Sequence, residues 1–387
     1  MAKEYEKKGK ENLPVLAICY DFDKTLSPDN MQAQGYIQSV GYENADVFWT
    51  ESNALAADND MDQNLAYMRK MIDDARGILI PTKDKLKEYG ERVSLYPGVE
   101  EWFERINEYG KSKGIIVEHY IISSGLKEMI EGTSIAQKGV FEKIYANSYF
   151  YDEKGVPVWP AQIINYTNKT QFLFRIEKGR LDINDEKVNE QVQSEEVRIP
   201  FRNIVYIGDS DTDVPCMKLV NSYGGHSIGV YNGDKAKVYK MMRENRIKYF
   251  APADYSEGSP LDSLLKSIID KTQVSEVLES FSDECKMETK NADDKIDAEE
   301  LKKIDALIEL ECSCSFAQTH EIIGTLSKFS NWTDEQKEKL CEIAIDNSQV
   351  NAVLQDNDVK RFYKKALVGY SSDSDYYKKV KEKLKIK

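Results

Sequence analysis

An α/β fold built on a parallel sheet, followed by an all-α region, is what this sequence predicts. Three apolar runs carry the first part. Val15-Leu16-Ala17-Ile18-Cys19-Tyr20 ends in Asp21-Phe22-Asp23-Lys24-Thr25, and Phe201-Arg202-Asn203-Ile204-Val205-Tyr206-Ile207 runs into Gly208-Asp209-Ser210-Asp211-Thr212-Asp213. The run Ile115-Ile116-Val117-Glu118-His119-Tyr120-Ile121-Ile122 ends in Ser123-Ser124-Gly125. Short β-branched and aromatic runs read as buried strands, and each turns polar where it stops. Laid parallel, such strands bring their polar ends to one rim, the edge where open α/β sheets bind ligands.

Two carboxylates one residue apart suit a definite chemistry. One can coordinate a hard cation and attack phosphorus, while the other moves a proton. A solvated acidic turn looks the same when read alone. The second acidic cluster shifts the balance, because a rim of carboxylates and hydroxyls suits Mg2+, which binds through carboxylates, phosphate and water.

Four motifs in order then carry a resemblance. They are Asp21-x-Asp23-x-Thr25, the strand ending at Ser123, the lysine of Asn168-Lys169-Thr170, and Gly208-Asp209-x-x-x-Asp213. The chain resembles haloacid dehalogenase superfamily phosphatases, in the branch similar to phosphoserine phosphatases, from about residue 13 to 265. The resemblance implies a Rossmann-like three-layer α/β/α core with a helical cap. It makes Asp21 the nucleophile, Asp23 the acid and base, and Ser123 and Lys169 the remaining catalytic residues. Thr25, Ser123, Ser124, Gly125 and Lys169 would bind phosphate. Mg2+ would be held by Asp21, the Asp23 carbonyl and Asp209, with Asp213 behind them. Lys178 or Lys187 stays open as an alternative to Lys169. The second acid, Asp23, points to a phosphatase rather than a dehalogenase, with phosphotransfer as the alternative. The implied substrate is a small phosphorylated metabolite.

The other elements follow from periodicity. After Thr25 the pattern turns helical, with Met61, Leu65, Met68 and Ile72 on one face and a helix from Val47 to Leu55 before it. Residues 27–93 read as a helical cap inserted in a core that spans 1–26 and 94–270. Pro97-Gly98 opens a helix with Val99, Trp102, Phe103 and Ile106 on one face. The run from Ile144 to Tyr151 reads as a strand, the stretch from Val156 to Ile164 as its partner, and Gly179 to Pro200 as a surface insertion or a mobile hairpin. Residues 271–299 are weakly apolar and charged, as in a linker or an exposed helix. Residues 300–387 predict a small helical domain. In it, Thr333-x-x-Gln336 forms a capping box, and Val359, Phe362, Tyr363, Ala366 and Leu367 share one face. No catalytic motif lies there, and the region suits a protein partner or a regulatory role.

Composition bounds the class. A formal net charge of −14 over 387 residues, with no basic stripe, argues against nucleic acid. No apolar run approaches membrane-spanning length, and the lysine-rich start lacks the apolar centre of a secretory signal. Six cysteines without a framework suit reduced thiols, so the expected location is the cytoplasm. Cys312, Cys314, His320 and Cys341 lack paired zinc-site spacing and read as ordinary thiols and a histidine. His119 is expected to pack against the sheet.

Overall fold

The computed structural model describes residues 4–193, 196–293 and 298–385. They divide into two compact units, 1–278 and 279–387.

In the first unit the described strands are β1 (Val15–Tyr20), β2 (Ile116–Leu126), β3 (Phe141–Tyr151), β4 (Pro157–Gln162), β5 (Ile204–Gly208), β6 (His226–Tyr231) and β7 (Tyr249–Pro252). They form one sheet in the order β4-β3-β2-β1-β5-β6-β7. Every pairing is parallel except β3 with β4. Side chains alternate across a strand, and β1 shows it: Leu16, Ile18 and Tyr20 join one core, Val15, Ala17 and Cys19 the other. The first core takes Trp102, Phe103 and Ile106 from helix Val99–Ser112, and Leu261 and Leu265 from helix Pro260–Asp293. The second takes Phe172, Leu173 and Ile176 from helix Thr170–Lys178, and Met217 and Val220 from helix Val214–Ser222. Helices on both faces of a parallel sheet give the three-layer core the sequence predicts.

Between β1 and β2 the chain is helical, with helices Ala45–Asp58, Gln63–Ala75 and Lys83–Gly90. Each begins at a residue suited to capping. Asn44 accepts from the Asp46 amide, Asp62 from Asn64 and Leu65, and Thr82 from Lys85. Phe48, Met68, Met71 and Leu86 turn inward to the first core.

Two stretches differ from expectation. β2 continues through Ser124 and Gly125 to Leu126 instead of ending at Ser123. Residues 179–193 and 196–200 are largely exposed, as a surface insertion would be, but 182–185 and 198–199 are anchored to the core. The Arg175 guanidinium donates to the Asp182, Ile183 and Asp185 carbonyls, and Ile199 is buried. Periodicity is blind to a loop held by side chain to backbone bonds.

The stretch read as a linker or an exposed helix is helical through Asp293, within helix Pro260–Asp293. The second unit is all-α over its described residues, with a core that includes Leu310, Ile323, Leu340, Val359, Phe362 and Tyr363. Its capping box forms as read: Thr333 Oγ1 accepts from the Gln336 amide at 3.2 Å, and Gln336 Oε1 from the Thr333 amide at 3.1 Å. Among the described residues, no helix is long and apolar enough to cross a membrane.

Candidate active site

β1 lies between β2 and β5, in register at Tyr20–Ile121 and Tyr20–Ile207. The chain order reverses across β1, so a crevice opens at the carboxyl ends of these strands. The Asp21 amide still donates to the Ile207 carbonyl at 3.0 Å, which holds the first residue after β1 in line with the sheet. The chain then turns sharply. The amides of Thr25, Leu26 and Ser27 all point at the Phe22 carbonyl, and Lys24 adopts a positive φ of 58°. This turn sets Asp23 beside Met31, whose amide donates to Asp23 Oδ1 at 2.8 Å.

Lys169 is the buried centre of the arrangement. It precedes helix Thr170–Lys178, at the end of a turn in which Asn165 accepts from the amides of Thr167 and Asn168. Its Nζ lies 3.2 Å from Asp21 Oδ1 and 2.7 Å from Asp213 Oδ1. Burial works against its charge, but the two carboxylates overcome that and hold it above its ordinary value. Asp213 is fully engaged: its Oδ1 also accepts from the Tyr206 hydroxyl at 2.9 Å, and its Oδ2 from the Ser210 amide and hydroxyl.

Asp21, Asp209 and Asp213 can each offer a carboxylate oxygen such that the three lie within 4.8 Å of one another. Burial raises the Asp21 carboxyl, Asp213 and Asp209 reinforce the rise, and Lys169 and Ser123 oppose it. Asp23 is raised well above the ordinary range by burial and then by Asp21. Asp209 rises by burial and by Asp213, against Lys237 at 3.3 Å. Carboxylates this crowded resist ionising together unless positive charge joins them. An all-oxygen donor set with surplus negative charge fits a hard divalent cation such as Mg2+.

The other predicted residues separate into two groups. Ser123, Ser124 and Gly125 line the same 610 Å³ cavity as Asp21, Asp23, Lys169 and Asp209. Ser123 Oγ accepts from the Gly125 amide at 3.0 Å. A Cβ at Gly125 would overlap the Met31 methyl and crowd Asp23 Oδ2, so the flexible end of Met31 would have to shift to admit a side chain. Thr25 stands apart from the other expected phosphate-binding residues, its Oγ1 buried with no hydrogen-bond partner among the described residues. It is fully buried away from the cavity lining, and its carbonyl accepts from the Tyr255 hydroxyl at 2.8 Å. The β-branched residue closes the turn from inside. Lys178 donates to the Val188 and Glu190 carbonyls, so it serves the packed loop, and Lys187 is not among the cavity residues either.

Several cavity residues escaped sequence reading. Lys24 and Lys237 stand near the acids, while Trp49, Tyr67 and Tyr166 line the remaining wall. Tyr67 links the helical insertion to the rim, donating to the Ser124 carbonyl at 3.0 Å and accepting from Asn147 at 2.8 Å. Helical periodicity marks Tyr67 only as core, and its hydroxyl partner lies on a distant strand. The thiols Cys312 and Cys314 are exposed, and His320 pairs with Asp356 and Asp358.

A family model for haloacid dehalogenase-like hydrolases matches residues 18–218. An uncharacterized protein of Borreliella burgdorferi is 30% identical over 274 residues, covering 64% of this chain and 94% of its own length. Among solved structures, the chain is similar to a HAD-family hydrolase from Salmonella enterica serovar Typhi at 22% identity. That alignment covers 67% of this chain and 73% of the other, with a TM-score of 0.45. A substrate-bound phosphoserine phosphatase aligns at 17% identity over 68% of this chain and 99% of its own, with a TM-score of 0.42.

Proposed function

This chain belongs to the haloacid dehalogenase-like hydrolases, and from that premise we propose that it is a Mg2+-dependent phosphatase acting on a small phosphomonoester. The observation that carries the reading is the Lys169 ammonium held between Asp21 and Asp213, with Asp209 beside them and Asp23 across the turn. In this reading the Asp21 carboxylate attacks phosphorus in line and forms an aspartyl-phosphate as the bond to the alcohol oxygen breaks. Asp23, raised by burial and fixed through the Met31 amide, gives its proton to the departing alkoxide. It then takes a proton from the water that attacks the aspartyl-phosphate, which regenerates Asp21 and releases phosphate. The Ser123 hydroxyl, whose oxygen is held by the Gly125 amide, donates to a phosphoryl oxygen. Lys169 keeps Asp21 ionised and aimed. Asp21, Asp209 and the Asp23 carbonyl would hold Mg2+, which when bound supplies positive charge against the carboxylate and the phosphoryl oxygens.

The helical insertion between β1 and β2 is assigned the part of a cap, which keeps bulk water from the acids. A 610 Å³ cavity supports a small substrate over a macromolecule. Six unpaired cysteines support a reducing compartment, and we place the protein in the cytoplasm.

The test is hydrolysis of an aryl phosphate with and without Mg2+. Asp21→Asn should lower turnover by at least about three orders of magnitude. Unchanged turnover would remove Asp21 as nucleophile. Product analysis with added alcohol separates hydrolysis from transfer to another acceptor.

A further inference from the structure

Asn165 carries an amide donor that the turn around it does not need. The residue opens the turn that leads to Lys169. Its Oδ1 accepts from the Thr167 amide at 2.9 Å, the Thr167 hydroxyl at 2.6 Å and the Asn168 amide at 3.3 Å. Its carbonyl accepts from the Lys169 amide at 3.1 Å, and its own amide donates to Asn168 Oδ1 at 2.9 Å. An aspartate would shape such a turn equally well, since only the side-chain oxygen takes part. The Nδ2 group points elsewhere, donating to Asp62 Oδ2 at 2.8 Å.

Asp62 belongs to the helical insertion, 103 residues away in the chain. It caps helix Gln63–Ala75, but Oδ1 alone does that, accepting from the Asn64 and Leu65 amides. Capping therefore leaves Oδ2 unexplained, as the turn leaves Asn165 Nδ2. Both residues line the cavity. One position earlier, Ile164 is fixed on two sides: its amide donates to Asn147 Oδ1, and its carbonyl accepts from Asn64 Nδ2 at 3.1 Å. With Ile164 pinned, a change at the Asn165 side chain passes forward to Lys169. The geometry there has little slack. Lys169 Nζ sits 2.7 Å from Asp213 Oδ1 but 3.2 Å from Asp21 Oδ1, at the outer edge of hydrogen-bond range. A small displacement breaks the contact with Asp21 first.

Resting on the phosphatase reading, we infer that Asn165 is a positioning residue for the reaction, joined through Asp62 to the helical insertion. The insertion that encloses the substrate thus also sets the lysine that keeps Asp21 ionised and aimed. Asn165 acts through Lys169 rather than on the phosphoryl group.

The experiment reverses the hydrogen bond. Asn165→Asp keeps the oxygen that the turn requires but sets a carboxylate against Asp62. Asp62→Asn keeps the helix start capped but sets one amide against another. Each single change should lower kcat for Mg2+-dependent hydrolysis of an aryl phosphate by about tenfold or more, the scale of a misplaced catalytic group. Asp62→Asn combined with Asn165→Asp again faces a donor with an acceptor, at unchanged net charge. Its kcat should return to within about threefold of wild type. In a Lys169→Met background, neither single change should lower turnover further by more than about twofold, because the effect runs through that lysine. Single variants with wild-type kcat overturn the inference. So does a combined variant no faster than the singles, and so do losses that persist undiminished without Lys169. Urea unfolding separates lost turnover from lost fold. Should Asn165→Asp fail to fold, Asp62→Asn, whose capping oxygen is intact, carries the test together with the combined variant. Absence of Mg2+-dependent hydrolysis by the wild-type enzyme is a different failure, because it removes the phosphatase reading itself.

Discussion

Each unit of this protein buries a lysine, and the two are held in contrasting ways. Lys169, in the α/β unit, has two carboxylates for partners, Asp21 at 3.2 Å and Asp213 at 2.7 Å, and lines a cavity. Lys303, in the helical unit, reaches Glu300 at 2.6 Å, the Asn331 carbonyl and Gln336 Oε1 at 3.3 Å, and stands over Trp332. Its acceptors belong to helix starts and turns that need closing, and Gln336 is part of the capping box. Lys303 thus ties local structure together. Lys169 balances acids that the fold has crowded together for another purpose. Burial of a lysine says little by itself; the chemistry of its acceptors separates structure from function.

The sharpest way to break this contrast is to remove both ammonium groups in turn. Lys169→Met should lower Mg2+-dependent turnover by about two to three orders of magnitude, the usual cost of a lost charge-stabilising group. Lys303→Met should leave kcat within about twofold while the helical unit loses roughly 1–2 kcal/mol in urea unfolding. Equal losses of turnover in the two variants would erase the distinction.

Histidines extend the comparison to pH. His119 is buried in the sheet, and burial holds its pKa down to about 3. Trp102 donates to the Tyr20 hydroxyl at 2.8 Å, so that hydroxyl donates to His119 Nδ1 at 3.0 Å. The neutral ring then donates from Nε2 to Asn107 at 2.9 Å. Between pH 6.5 and 3 the unfolded chain takes up a proton that the folded chain refuses. Stability of the α/β unit should therefore fall on acidification by up to about 1.4 kcal/mol per pH unit. Urea midpoints of wild type and His119→Gln from pH 7 to 4 check this, the variant giving the shallower slope.

His320 has the opposite sign and a smaller effect. Its hydrogen bond to Asp358 at 2.7 Å raises its pKa above the ordinary value. The stabilisation is fully present below pH 6.5 and disappears as pH rises through the folded pKa. His320 is partly solvated, so the expected size is a few tenths of a kcal/mol. Thermal melts of His320→Gln against wild type at pH 5.5 and 8 should differ at the lower pH only.

Much of the fold was legible because its signals are local. Apolar runs that end in acids mark β1 and β5, and the capping box at Thr333 marks a helix start without tertiary help. The anchoring of residues 182–185 was not legible, since Arg175 holds them through carbonyls of no particular sequence. Thr25 shows the limit within a motif. Its place in the run suggested phosphate contact, but the turn at Lys24 rotates it into the interior.

Residue order and type were enough to set the strands, the helical stretches and the acids that sit at strand ends, because these follow from periodicity of two and 3.6 residues. The family membership rests on that same order. Which lysine meets Asp21 and which residues line the cavity came from the folded chain. Those answers depend on contacts such as Asp21 with Lys169, 148 residues apart, and on burial that turns an ordinary amide or ammonium into an energetic constraint.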